Sequence, residues 1–86
     1  MTFIFHSDPG HGWVQVSLEY LNTLHLANRI SSYSYMDLNT RMAYLEEDRD
    51  ASLLIEAVKN LGHEVEFRNI VHNDICFIRN LHYFVS

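Results

Sequence analysis

Thr2-Phe3-Ile4-Phe5-His6-Ser7-Asp8-Pro9-Gly10-His11-Gly12-Trp13-Val14-Gln15-Val16-Ser17 decides the architecture. Thr2 to His6 reads as a strand, and Asp8-Pro9-Gly10 supplies a turn. Asp suits the first turn position, Pro presets φ at the second, and Gly tolerates positive φ at the third. Gly12 to Val16 then resumes in extended form, with Val14 and Val16 on one face and Trp13 and Gln15 on the other. Strands one and two are expected to form a hairpin.

Beyond that hairpin, Ser17 is a good N-cap with Glu19 in the favourable first turn, so a helix is expected from Leu18 to about His25. Ser32-Tyr33-Ser34-Tyr35-Met36 alternates small hydroxyl and aromatic side chains, as a strand does. Asp37 to Thr40 turns the chain, and Arg41 to Glu46 returns it as a second hairpin. Asp50 reads as the cap of a second helix whose apolar stripe is Leu54, Ala57, Val58 and Leu61, and Gly62 ends it. Glu64 to Arg68 alternates as a half-exposed strand. The apolar tail from Ile75 to Phe84 either closes the core, adding a last short strand, or makes a dimer or partner contact. The expected fold is α+β: one small domain over residues 1–86 in the order ββαββαβ, with a mainly antiparallel sheet and two helices packed on one face.

Eighty-six residues leave no room for a second core, and 48% hydrophobic with 20% charged residues is globular composition rather than that of a disordered chain. Eleven acidic against six basic residues give a formal charge of −5. That balance argues against phosphate-neutralising nucleic-acid binding and has the wrong sign for anionic membranes. It suits partners with a basic surface. Cys76, the single cysteine, has no internal disulfide partner, and no zinc-type Cys spacing is present. Without a leader-like start or a run of about 20 apolar residues, a cytoplasmic location is expected.

Three groups of residues are chemically suggestive. His6 and Asp8 share a strand face and His11 returns across the turn; with His72 from the late strand they are candidate ligands for zinc or non-haem iron. The other reading makes Asp8 a turn residue and His6 a surface residue. Glu46, Glu47, Asp48 and Asp50 form an acidic run where a strand meets a helix N-terminus. Negative charge is favoured there by about 0.3–1 kcal/mol each, and the same run would serve to dock a basic partner. Trp13, Tyr33 and Tyr35, with Tyr44, either pack in the core or form an exposed aromatic anchor. No nucleophile motif accompanies the serines.

Three motifs carry a resemblance: Asp8-x-Gly10-His11-Gly12-Trp13, Ile30-Ser31-Ser32-Tyr33-Ser34-Tyr35 and Ala43-Tyr44-Leu45-Glu46-Glu47-Asp48. Together they resemble a family of short uncharacterised proteins of phages, prophages and plasmids, over roughly residues 3 to 58. The resemblance implies a context, namely an accessory protein that binds and blocks host machinery. An anti-CRISPR or anti-restriction role is one form of it. The expectation is therefore a small acidic non-enzymatic binding protein without a cofactor, working in the host cytoplasm, whose partner is a host protein with a basic surface. Trp13, Tyr33 and Tyr35 would be its anchors, and Glu46, Glu47, Asp48 and Asp50 its acidic contacts. A homodimer is an open possibility. The alternative is a metal-binding protein or metal-dependent enzyme using His6, Asp8 and His11 with His72.

Overall fold

Strand β1 (Thr2–Ser7) turns at Asp8 and returns as β2 (Gly12–Ser17), pairing His6 with Trp13 and Phe5 with Val14. A computed structural model describes every residue except Ile75 and Ser86. After β2 come α1 (Leu18–Thr23), β3 (Tyr35–Asp37), β4 (Met42–Glu46), α2 (Ala51–Asn60), β5 (Glu66–Val71) and β6 (His82–Tyr83). Among the described residues, six strands form one sheet in the order β5-β1-β2-β4-β3-β6. Every pairing is antiparallel except β1 with β5. That parallel pair needs a crossover, and the β4–α2–β5 connection provides it.

Side-chain alternation divides the sheet into two faces. Val14, Val16, Ala43, Leu45 and Met36 join Leu21 of α1 and Leu54 and Val58 of α2 in the main core. Both helices therefore lie over the same face, as the Val14/Val16 alternation implies. The opposite face carries Trp13 and Tyr44, which pack with Cys76 and Ile78 of the C-terminal segment. A helical turn at Phe77–Asn80 lays that segment against the sheet, and β6 then pairs with β3. Cys76, Ile78 and Phe84 are buried, so the tail closes the structure; Ile75 lies outside the described residues.

Several expectations are corrected. The order ββαββαβ gains β6, the last short strand expected of the tail, because Tyr83 finds Tyr35 across an otherwise open edge. β3 begins at Tyr35 rather than Ser32, since Ser31 and Ser34 are drawn into side-chain hydrogen bonds instead of a ladder. α1 stops at Thr23 because His25 adopts a left-handed φ of 57°. His25 N–H donates to Asn22 and Leu26 N–H to Leu21, a Schellman closure without glycine. Gly62, at φ 90°, closes α2 in the same manner. Leu61 is 60% exposed, so the buried stripe of α2 ends at Val58. Ser17 caps α1 as expected, accepting from Tyr20 N–H at 3.0 Å. Asp50 sits at the cap position of α2 but its carboxylate does not cap the helix.

Candidate binding cleft

The ends of β2, β4 and β3 converge beside β6, the 31–34 loop and the 47–49 turn around an open cleft of about 750 Å³. Trp13, Tyr33, Tyr35 and Tyr83 give it aromatic walls, with Glu46, Asp48, Arg49 and Arg79 as its charged groups. Five of the seven residues expected to bind a partner thus share one concavity: Trp13, Tyr33, Tyr35, Glu46 and Asp48. Register explains the gathering. Trp13 pairs with Glu46 across β2/β4, while Tyr35 pairs with Tyr44 on one side and Tyr83 on the other. The Tyr35 and Tyr83 rings stack at 5.4 Å.

Burial sorts these residues into supports and contacts. Trp13 is only 2% exposed, so it forms a wall rather than a projecting anchor, whereas Tyr33 is 57% and Tyr83 66% exposed. Its indole Nε1–H is a buried donor without a hydrogen-bond partner among the described residues. Glu46 is also buried; its Oε2 accepts from Asp48 N–H, and its Oε1 lies 3.8 Å from His11 Nδ1. Asp50 is buried beneath the cleft, out of reach of a partner. Its Oδ2 accepts from Ser31 N–H at 3.1 Å, Ser31 Oγ–H at 2.7 Å and Ser34 Oγ–H at 2.5 Å. Ser34 Oγ in turn accepts from Glu46 N–H, so Asp50 ties the tyrosine loop to β4. Glu47 is exposed beside the cleft, and burial of its carboxyl, then Asp48 and Glu46, push its pKa above the usual carboxylate value against a smaller opposing effect of His11.

Arg79 and Asp8 form the other support. Asp8 accepts five hydrogen bonds: from Gly10 and His11 N–H, from Cys76 N–H, and two from the Arg79 guanidinium. The guanidinium holds the Asp8 carboxyl well below the usual carboxylate range; burial opposes this, and the three backbone donors reinforce it. Asp8 is therefore more than a turn residue, because it anchors the tail 71 residues away. Arg79 also lies over the Trp13 ring at 5.7 Å, and Arg49 lies over Tyr33 at 3.9 Å. With Arg79 matched to Asp8, the carboxylates of Glu46 and Asp48 in the cleft and of Glu47 beside it stand, among the described residues, with Arg49 as the cleft's other arginine.

Of the four expected metal ligands, the structure brings two together. His6 and His72 approach to 3.2 Å between Nδ1 and Nε2. Asp8 is committed to Arg79, and His11 points toward Glu46 and Trp13. Cys76, a buried free thiol outside the expected ligand set, joins the two imidazoles instead. Arg79, Tyr83 and Cys76 were missed as site residues because nothing local in the sequence links the tail to β1 or β3. No family model, curated protein or solved structure matches the chain.

Proposed function

We infer that this chain is a small acidic, non-enzymatic binding protein that grips a basic segment of another protein in the aromatic cleft. The phage or mobile-element setting, and a host target such as a CRISPR or restriction component, come from the motif resemblance and belong to the same proposal. The observation that carries it is Arg49 lying on the face of Tyr33 beside Asp48 and Glu46. The chain's own guanidinium occupies the kind of seat that a partner's Arg or Lys would take, on an exposed ring with carboxylates alongside. A cation over an aromatic face is worth about 0.5–1 kcal/mol in the open and more once desolvated. The volume is that of an ordinary ligand cleft.

Other features support recognition rather than proton transfer. The deepest carboxylates, Asp8 and Asp50, are spent on internal donors. The indole N–H of Trp13, a buried donor at the wall without a partner among the described residues, would be satisfied by repacking on docking. The test is capture of a host protein, its purification, and titration calorimetry with Tyr33→Ala and Asp48→Asn. Both sites are exposed, so the variants fold. Each is expected to weaken binding about tenfold, equivalent to about 1.4 kcal/mol. Phe67→Ala, on the far edge strand, should bind as wild type. Equal affinity for all four proteins would remove the cleft from the account.

A further inference from the structure

On the sheet face opposite α1 and α2, away from the tyrosine loop, His6, His72 and Cys76 each offer one ligand atom, all within 4.8 Å of one another. We propose that these three side chains form a zinc-class metal site that fastens the C-terminal segment to β1. This stands independently of the reading of the cleft.

The spacing fits first. Two nitrogens bound tetrahedrally to zinc lie about 3.3 Å apart, and a nitrogen and a thiolate sulfur about 3.6 Å apart. His6 Nδ1 and His72 Nε2 are already 3.2 Å apart. Closing the sulfur onto them requires a shift of no more than about 1.2 Å at the end of one side chain. The donor set, two imidazoles and one thiol, is that of a borderline-soft divalent ion rather than of calcium or magnesium.

Orientation is the second observation. His6 Nε2 lies 2.7 Å from Gln15 Oε1, and an amide oxygen can only accept, so Nε2 carries the proton. The lone pair of Nδ1 is thereby turned toward His72. Metal-bound histidines characteristically donate their second N–H to such a carbonyl, which fixes tautomer and ring plane. The backbones are pinned as well: His72 N–H donates to Ser7 C=O at 2.7 Å, and Cys76 N–H donates to the Asp8 carboxylate. Phe77 meets both imidazoles edge-on and Tyr44 meets His6, giving the site an aromatic shell. His6 and Cys76 are buried while His72 is half-exposed, which leaves His72 as the side of entry.

Zinc binding would join β1 to the segment carrying Arg79 and β6, and so hold one wall of the cleft. The experiment uses the untagged full-length chain, with zinc affinity measured by competition with a chromophoric chelator and geometry read from the cobalt(II) adduct. One equivalent of zinc is expected, and the cobalt adduct should show a thiolate-to-metal charge-transfer band that Cys76→Ser abolishes. His72→Gln should lower zinc affinity by at least about 100-fold, and Gln15→Leu by about 10- to 100-fold. Circular dichroism confirms that each variant is folded. His72 is half-exposed, so its variant keeps the test valid even if Cys76→Ser does not fold. No zinc uptake by the wild type, a cobalt spectrum without the thiolate band, or undiminished zinc affinity in His72→Gln would each overturn the proposal. The last would assign any bound zinc to exposed histidines such as His25 or His63.

Discussion

Replacing Asp50 by alanine should destabilise this domain more than replacing any acid at the cleft rim. Its Oδ2 alone accepts three hydrogen bonds, from Ser31 N–H, Ser31 Oγ–H and Ser34 Oγ–H. Ser34 is fully buried, so its hydroxyl would have no water to turn to, a loss of about 1–3 kcal/mol. Ser31 is half-buried and recovers part of its hydration, so its two donors together add about 1–2 kcal/mol. The sum is about 2–5 kcal/mol, against a total stability of about 4–13 kcal/mol for a chain of this length. The midpoint of thermal unfolding should fall by at least about 8 °C. Urea denaturation followed by the fluorescence of the single tryptophan, Trp13, reads this directly, with the slope unchanged from wild type. Asp48→Ala, exposed at the rim, should move stability by less than about 0.5 kcal/mol. Asp50→Asn keeps an acceptor and the side-chain volume, and should cost about 1–2 kcal/mol. In a double-mutant cycle Asp50→Ala and Ser34→Ala should couple by about 1 kcal/mol or more. If Asp50→Ala costs no more than Asp48→Ala, the serine–aspartate hub does not hold the tyrosine loop, and its description as a structural rather than a docking acid is wrong.

Two further predictions concern stability. Glu47→Gln should raise the melting temperature at pH 7, because desolvation of the Glu47 carboxyl, then the charges of Asp48 and Glu46, outweigh the smaller opposing effect of His11 and make its ionisation oppose folding. The sign follows from linkage: the stability credited to protonated Glu47 is full below its unfolded pKa of about 4.3 and is lost as pH rises through the folded value. The advantage of the glutamine variant should therefore vanish near pH 3, as differential scanning calorimetry at the two pH values would show. His25→Gly should stabilise by about 0.5–1 kcal/mol in urea titrations, since glycine takes the left-handed φ of 57° without the Cβ penalty that histidine carries.

Period-two alternation and the Asp-Pro-Gly turn made the first hairpin legible, because both are local; Gly10, however, does not take the positive φ expected of it, and the Asp8 carboxylate closes the turn by accepting from Gly10 and His11 N–H. The stripe Leu54, Val58 and the stop at Gly62 exposed α2 for the same reason. The end of α1 was hidden, since histidine is not a residue whose presence announces a left-handed cap. Asp50 was misplaced by a rule that is sound for isolated helices; here Ser31 and Ser34 compete for the carboxylate and win it. In the sequence, Trp13, Tyr33 and Tyr35 read either as core or as an exposed anchor, and Glu46 and Asp48 as part of a separate acidic run; the structure sets all five around one concavity with Trp13 buried in its wall. The pairs His6–His72 and Asp8–Arg79 span 66 and 71 positions. They follow from β5 lying parallel to β1 at the sheet edge and from the tail folding back, and neither choice has a short-range signature.

The sharpest measurement uses the sole indole of the chain. Trp13 gives one side-chain N–H resonance, from a donor that is buried and has no hydrogen-bond partner among the described residues. A ¹H–¹⁵N titration with the purified host partner should move that resonance together with the backbone amides of Tyr33, Tyr35, Asp48 and Tyr83. An indole signal and cleft amides that stay fixed, while the amides of Glu66–Val71 shift, would place recognition on the opposite edge of the sheet and contradict the account.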